Sequence, residues 1–168
     1  ENTTKDEICG FVGDLTNMET SYIFKEFFER TIDTKNYESR SDNRFVDISK
    51  RENYLFNSSL NGIEEADLIF LIGTNPRYEG TILNARIRKS YLNNNTKIYS
   101  LNENGDLTYP YESFDGQTQT IKNIFEGSHD LSKNILNSKK PMIIIGESFL
   151  RLNSAEFLYN KILEFLTQ

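Results

Sequence analysis

The stretch ADLIFLIGTNPR, residues 66–77, carries the clearest fold signal in the sequence. Its centre, residues 68–72, is a short and wholly apolar run that ends in Gly-Thr-Asn-Pro. A continuous apolar run bounded by turn residues predicts a strand buried on both faces, as in a parallel sheet covered by helices. Open α/β sheets bind ligands in the turns that follow such strands, so the turn from Gly73 to Arg77 marks where a binding site would lie.

Strand and helix signals alternate along the rest of the chain. Strands are predicted at 8–13, 68–72, 97–101 and 141–146, and helices at 16–30, 61–65, 79–92, 118–126, 130–138 and 154–167. This alternation is the βαβ pattern of an α/β fold with a doubly wound, mostly parallel, Rossmann-like sheet flanked by helices. Residues 1–168 are therefore expected to form one α/β domain, with an irregular insert at 33–60 that contains a short strand at 45–48.

The predicted helices carry apolar residues at intervals of three and four, so one face of each should pack on the sheet. A capping box formed by Thr16 and Glu19 is expected to begin the first helix. Aromatic residues in the loop 105–118, namely Tyr109, Tyr111 and Phe114, should fix that loop to the body of the domain. The residues expected on buried helix faces are Ile23, Phe24, Phe27, Phe28, Ile82, Leu83, Ile87, Tyr91, Ile121, Ile124, Phe125, Phe157, Leu158, Ile162 and Phe165.

Few side chains in the sequence are suited to catalysis or ligation. Cys9 is the only cysteine, so the chain can form no internal disulfide, iron–sulfur cluster or thiolate zinc site, and its apolar context predicts a buried, inert thiol. His129 is the only histidine and lies in a turn, where exposure is expected. Gly10 and Gly13 lack the third glycine of a dinucleotide fingerprint, and the chain has no Walker A loop. We therefore predict no catalytic, cofactor-binding or metal-ligating residues and no bound cofactor.

Charge and hydropathy exclude two classes of partner. The net charge of −6 argues against nucleic acid binding, which needs clustered cations. The one basic cluster, Arg86, Arg88 and Lys89, is predicted to be a solvated or partner-facing helix surface. No apolar run approaches the length of a membrane span, so direct membrane insertion is not expected. Residues 1–7 resemble neither a secretory signal nor a transit peptide, and the missing initiator Met indicates processing or an internal start.

Five segments of the chain together carry a resemblance to a known family. They are GDLTNMET (13–20), the long central segment 51–94, DLTYPY (106–111), FEGSH (125–129) and KKPMIIIGES (139–148). In this order they resemble the largest core iron–sulfur subunit of respiratory complex I, the proton-pumping NADH:ubiquinone oxidoreductase. The resemblance is to the molybdopterin-oxidoreductase-like portion of that subunit only.

The resemblance implies a cofactor-free structural role in an enzyme complex. In the family this portion keeps the fold of molybdenum oxidoreductases but has generally lost their cofactor, and the iron–sulfur clusters lie in a separate Cys-rich portion. The chain would then be a fragment or split half of the subunit. It would pack on a Cys-rich iron–sulfur chain at the NADH-oxidising end of the matrix arm, on the matrix side of the mitochondrial inner membrane. Expected docking residues are Tyr109, Tyr111, Phe114, Arg86 and Arg88.

One alternative of another class remains open from the residues themselves. The chain could be an independent α/β module that holds a nucleotide or pterin cofactor at the turn from Gly73 to Arg77, with Arg77 contacting a phosphate. Whether the subunit is split between two polypeptides or truncated also remains open at this point.

Overall fold

The structure, a computed structural model, describes residues 3–13, 15–39 and 44–167. The chain groups into two compact units, residues 1–44 and 45–168. No helix in the described ranges combines the length and the apolar character needed to cross a bilayer.

The amino-terminal unit is built on a pair of two-residue parallel strands. Strand β1, Gly10–Phe11, pairs with β2, Tyr37–Glu38, and helix α1, Met18–Phe27, lies between them in the chain and continues as a π-helical turn, Phe28–Ile32. The N-cap of α1 is Asn17, whose side-chain Oδ1 accepts a hydrogen bond from Thr20 N at 2.8 Å. The predicted capping box at Thr16 is therefore wrong by one residue, because the asparagine amide supplies the acceptor instead.

Aromatic packing holds this unit together along one stripe of α1. Phe28 is buried and its ring centroid lies 4.7 Å from that of Phe24 and 5.9 Å from that of Tyr37. Ile23 and Phe27, predicted to be buried, are 66% and 49% exposed. They are exposed because positions 23 and 27 lie about 100° around the helix from the stripe of positions 24 and 28.

The carboxyl-terminal unit contains a four-stranded, wholly parallel sheet. Its strands, in chain order, are β3 Leu68–Ile72, β4 Lys97–Leu101, β5 Glu112–Phe114 and β6 Pro141–Ile145, and their spatial order is β5-β4-β3-β6. The sheet confirms the predicted α/β fold, and β3 and β4 have the predicted bounds. Strand β5 was expected to be loop. Strand β5 forms because it pairs in parallel with the edge of β4, and Tyr99 of β4 is paired with Glu112 of β5.

Helices cover both faces of this sheet. They are α2 Gly62–Glu65, α3 Pro76–Glu79, α4 Thr81–Asn94, α5 Thr118–Phe125, α6 Asp130–Asn137, α7 Glu147–Leu150 and α8 Ala155–Leu166. The predicted helix 79–92 is in fact two helices that meet at Gly80. No strand is assigned to residues 45–48. Instead Phe45 N donates to Leu150 O at 2.8 Å, and the Phe45 ring packs on Tyr159.

The core consists of two apolar clusters, one on each face of the sheet. On the first face, α5, α6, α7 and α8 pack over alternate residues of β3, including Phe70 and Ile72. On the second face, α2 and α4 pack over Ile69 and Leu71, together with the loop that precedes β5. Every residue of β3 is buried, as its apolar run predicts. Ile82 and Phe157, expected to be buried, are instead exposed on α4 and α8.

Candidate functional site

The candidate site lies where the strand order of the sheet reverses. Counted in chain order within this sheet, the spatial order is 3-2-1-4, so the reversal falls between β3 and β6. Ligands of open α/β sheets bind in the crevice beyond the carboxyl ends of the strands at this point. Here those ends are Ile72 and Ile145, which pair with each other and are followed by Gly73 and Gly146.

Two glycines bring the chain close together in that crevice. A Cβ at Gly146 would lie 2.4 Å from Gly73 O and 2.4 Å from Thr74 Cβ. Gly73 has φ +60°, and a Cβ there would lie 2.5 Å from Phe149 N. Phe149, on α7, is 2% exposed and belongs to the first-face core. The strand ends at the reversal are therefore packed directly against each other and against the backbone of α7, an arrangement that we call the closed crevice.

The hydrogen-bond donors of the turn after β3 also have partners within the chain. Asn75 N donates to Glu79 Oε1 at 3.0 Å and the Thr74 hydroxyl donates to Glu79 Oε2 at 2.8 Å. Arg77 N donates to Asn75 Oδ1 at 3.2 Å, so Asn75 is the N-cap of α3. The carboxylate of Glu79 accepts hydrogen bonds from donors that could otherwise hold an anion. The sequence analysis did not identify Glu79 as part of this turn. The local signal that could have identified it is an N-cap residue, Asn75, followed by an acid in the first turn of the helix.

The guanidinium of Arg77 is held by the loop that follows β4. Arg77 Nη1 lies 2.7 Å from Asp106 Oδ2 and also donates to Asp106 O. A hydrogen bond from Thr108 N and the contact with Arg77 lower the pKa of the Asp106 carboxyl below its usual value. Arg77 therefore already has an anionic partner and is not an unpaired cation awaiting a phosphate.

Asn104 joins the two strand-end loops through its side-chain amide. Its Nδ2 donates to Thr74 O at 3.1 Å and to Ser100 Oγ at 2.8 Å, and its backbone O accepts from Asn75 Nδ2 at 3.1 Å. Ser100 is completely buried on β4. The sequence marked Asn104 only as a turn residue, because nothing local shows that two of its partners, Thr74 and Asn75, lie 30 and 29 residues earlier in the chain.

Two residues with potential chemistry lie in environments that differ from the predicted ones. Cys9, expected to be buried, is exposed. It precedes a strand of only two residues, and in that strand Gly10 is the residue that is buried and closely packed. His129, expected to be exposed, is half-buried as the N-cap of α6. Its Nδ1 accepts from Leu131 N at 3.1 Å and its ring packs edge-on against Phe114.

Most of the expected docking residues have structural partners instead. Tyr109 is 7% exposed, and its hydroxyl donates to Asn84 Oδ1 at 2.7 Å, so its assignment as a docking residue is wrong. Burial raises the pKa of the Tyr109 phenol. The Phe114 ring stacks on Tyr99 with centroids 6.0 Å apart. The Tyr109 and Phe114 rings thus fix the loop to the sheet. This confirms the prediction that the aromatic residues of this loop attach it to the body of the domain. Tyr111 is half-buried and its hydroxyl donates to Gly105 O at 3.0 Å.

The basic helix surface is partly neutralised by an acid from α2. Glu64 accepts from both Arg86 and Lys89, the latter at 2.7 Å. Hydrogen bonds from Lys89 and Arg86 lower the pKa of the Glu64 carboxyl. Arg88 is exposed. Among the residues that the structure describes, no group of three His, Cys, Asp or Glu side chains is placed to hold a metal ion.

Fold and site together define an α/β protein with a doubly wound sheet whose carboxyl-edge crevice is closed. A molybdopterin oxidoreductase family model matches residues 1–168, and the chain belongs to that family.

Among curated proteins, the chain is similar to subunits named for NADH-ubiquinone oxidoreductase. It is 37% identical to the 75 kDa subunit of Reclinomonas americana over 163 residues, which is 90% of this chain and 24% of that protein. It is 32% identical to the mitochondrial 78 kDa subunit of Neurospora crassa over 176 residues, 98% of this chain and 22% of that protein. A mitochondrial NADH dehydrogenase iron-sulfur protein 1 of Solanum tuberosum is 32% identical over 141 residues. The chain thus spans about a quarter or less of the length of these relatives.

Proposed function

We propose that the chain is a component of respiratory complex I, the proton-translocating NADH:ubiquinone oxidoreductase, and that it acts there as a cofactor-free scaffold without catalytic residues. Support for membership comes from the complex I subunits to which most of the chain is similar. Support for the scaffold role comes from one observation: at the strand ends where this fold binds ligands, the chain packs so closely that a Cβ at Gly73 would meet the backbone of Phe149 and a Cβ at Gly146 would meet Gly73 O.

Hydrogen bonding in the turn after β3 favours a scaffold over a cofactor site for an electrostatic reason. A nucleotide or pterin phosphate needs free N–H groups or a free cation at the strand end. Here Asn75 N and the Thr74 hydroxyl donate to Glu79, and Arg77 is paired with Asp106. An incoming anion would have to displace both carboxylates and would meet their negative charge.

The proposed place of the chain rests on its similarity to complex I subunits. It lies in the matrix arm at the NADH-oxidising end, on the matrix side of the mitochondrial inner membrane, as a fragment or split half of a larger subunit. Its main partner is a Cys-rich iron–sulfur chain whose clusters carry the electrons from NADH towards ubiquinone. The sheet-containing unit, residues 45–168, would keep the cluster spacing fixed and exclude water by packing on that chain, and electron transfer depends on both.

Affinity purification of the tagged chain from its own organism tests membership. We expect mass spectrometry to identify complex I subunits, including a Cys-rich iron–sulfur chain, in the eluate, and native gels to show the chain in a large assembly. Migration of the chain alone, without complex I subunits, would refute the proposal. Purification with the tag alone serves as the control for non-specific capture.

Cofactor content tests the scaffold role separately from membership. The purified chain should show no visible absorbance and should release no nucleotide or fluorescent pterin when it is denatured. Release of either compound in proportion to protein would support the alternative, an independent module with a ligand at the turn from Gly73 to Arg77. The Glu79→Gln variant keeps the side-chain size but removes the charge, so retention of a ligand by this variant alone would identify Glu79 as the group that keeps the turn closed.

A further inference from the structure

The chain contains two Asn-Gly pairs, Asn61-Gly62 and Asn104-Gly105, and they lie in different environments. An Asn-Gly pair is prone to spontaneous cyclisation, because glycine has no Cβ to hinder its backbone nitrogen and adopts the required backbone angles freely. In this reaction the deprotonated nitrogen of glycine attacks Cγ of asparagine, and a C–N bond forms. The side-chain nitrogen takes up a proton and leaves as ammonia. Water then opens the resulting succinimide to aspartate or isoaspartate, so no other reactant is needed.

The first pair is protected by the start of a helix. Gly62 N donates to Ser59 O and to Ser59 Oγ, both at 2.9 Å, and Gly62 is the first residue of α2. Asn61 has helical backbone angles, φ −71° and ψ −32°. Cyclisation at Asn61 would have to break both hydrogen bonds of Gly62 N and rotate Asn61 out of its helical conformation. We therefore expect this pair to react slowly while α2 is formed.

The second pair has an unprotected attacking nitrogen. Gly105 is exposed and has φ +68°, and a Cβ there would meet no atom within 4 Å. Within the ranges that the structure describes, Gly105 N donates no hydrogen bond. Solvent can therefore reach this N–H group and remove its proton, which is the first step of the reaction, without any change in secondary structure.

The side chain under attack belongs to the link between the loops that follow β3 and β4. Asn104 Nδ2, the atom that would leave as ammonia, donates to Thr74 O at 3.1 Å and to Ser100 Oγ at 2.8 Å. These hydrogen bonds hold the amide and should slow the reaction relative to an unfolded chain. They do not involve Gly105 N, so they leave the attacking group free.

We propose that Asn104-Gly105 is a site of spontaneous deamidation in the folded protein, and that the modification weakens the link between the two strand-end loops. A carboxylate at position 104 cannot donate to Thr74 O, which would then face a second acceptor. The modification also adds a negative charge to loops that already carry Glu79 and Asp106. Isoaspartate in addition lengthens the main chain within the turn. The closed crevice should therefore loosen as the protein ages.

Peptide mapping by mass spectrometry tests the site. The tagged chain, purified from its own organism, is incubated at neutral pH with and without urea, and the mass increase that accompanies replacement of NH2 by OH is followed at both pairs. In the folded protein we expect conversion at Asn104 to exceed that at Asn61 by roughly 10-fold or more, because only at Asn61 must a helix open first. In urea this difference should largely disappear. Equal or slower conversion at Asn104 in the folded protein would overturn the proposal.

The Gly105→Ala variant tests the route of the reaction. Because its Cβ has open space, the variant should remain folded, and the added side chain should slow conversion at Asn104 several-fold by hindering the attacking nitrogen. Conversion at Asn61 should not change and serves as the internal control. An unchanged rate at Asn104 would show that Gly105 N is not the attacking group and would contradict the proposal.

The Asn104→Asp variant reproduces one product and tests the consequence. It should lower the urea midpoint of unfolding, because Thr74 O loses its donor. Asn61→Asp is the matched control, since the side chain of Asn61 caps no N–H group of α2 and an acid at a helix start is favourable. Equal midpoints for the two variants would refute the weakened link. None of these readouts depends on membership of complex I.

Discussion

Replacement of Gly73 by Ala should destabilise the carboxyl-terminal unit in two additive ways. Gly73 has φ +60°, a left-handed conformation that costs a residue with a side chain about 1–2 kcal/mol. The added Cβ would also lie 2.5 Å from Phe149 N and 2.7 Å from Phe149 Cβ, and overpacking of this kind costs about 1–3 kcal/mol. The total expected loss is about 2–5 kcal/mol, which a domain of ordinary stability survives in the folded state.

Gly105→Ala is the matched control for this prediction. Gly105 has φ +68°, but a Cβ there would meet no atom within 4 Å, so only the backbone cost of about 1–2 kcal/mol applies. Urea unfolding of both variants, followed by circular dichroism, measures the free energy of unfolding. Losses equal to within about 0.5 kcal/mol would refute the close packing at the strand reversal. They would therefore also remove the main support for a closed crevice.

Three further predictions concern the core and the ion pairs. Phe149→Ala should cost about 3–5 kcal/mol of unfolding free energy by leaving a cavity in the first-face core, and a loss below about 1 kcal/mol would show that the ring is not packed there. Tyr109→Phe should cost about 1–3 kcal/mol, because Asn84 Oδ1 loses its buried donor, and an unchanged urea midpoint would contradict this hydrogen bond. The pKa of Glu64 is lowered by Lys89, so the ion pair stabilises the fold above the ordinary carboxyl pKa and is lost as the pH falls through the lower folded-state pKa. Urea midpoints measured from pH 7 to pH 3 should therefore fall less steeply in Glu64→Gln, and identical slopes would count against the pair.

The strand that the sequence predicted best is the one with a continuous apolar run. Residues 68–72 have the predicted bounds, because burial on both faces imposes an apolar sequence whatever the neighbouring strands are. Residues 97–101 also have the predicted bounds, although Lys97 is exposed and Ser100 is polar. Strand β5 escaped prediction, since its residues Glu112–Phe114 carry no periodic pattern and become a strand only through pairing with β4. Ile82 was predicted to be buried but is exposed. Intervals of three and four residues identify an apolar stripe along a helix but do not show which residues lie at the edge of that stripe.

The sequence located the candidate site but could not show whether the turn there is open to a ligand or closed by other residues. It placed a turn at Gly73 and Asn75, since glycine and asparagine after an apolar run are local signals. The groups that close this turn come from elsewhere in the chain. Asp106 pairs with Arg77 from 29 residues away, and Phe149 comes from α7, beyond the last strand of the sheet. No local pattern predicts such contacts.

The sequence alone thus determined the α/β class, the buried strand at 68–72 and the scarcity of reactive side chains, because these depend on residue type and on local periodicity. Only the tertiary structure decided that the strand ends at Gly73 and Gly146 are closely packed, that Tyr109 is a core residue and that Arg77 is paired with Asp106. Those features depend on which distant segments are brought together, and strand order and side-chain contacts are set by packing over the whole unit.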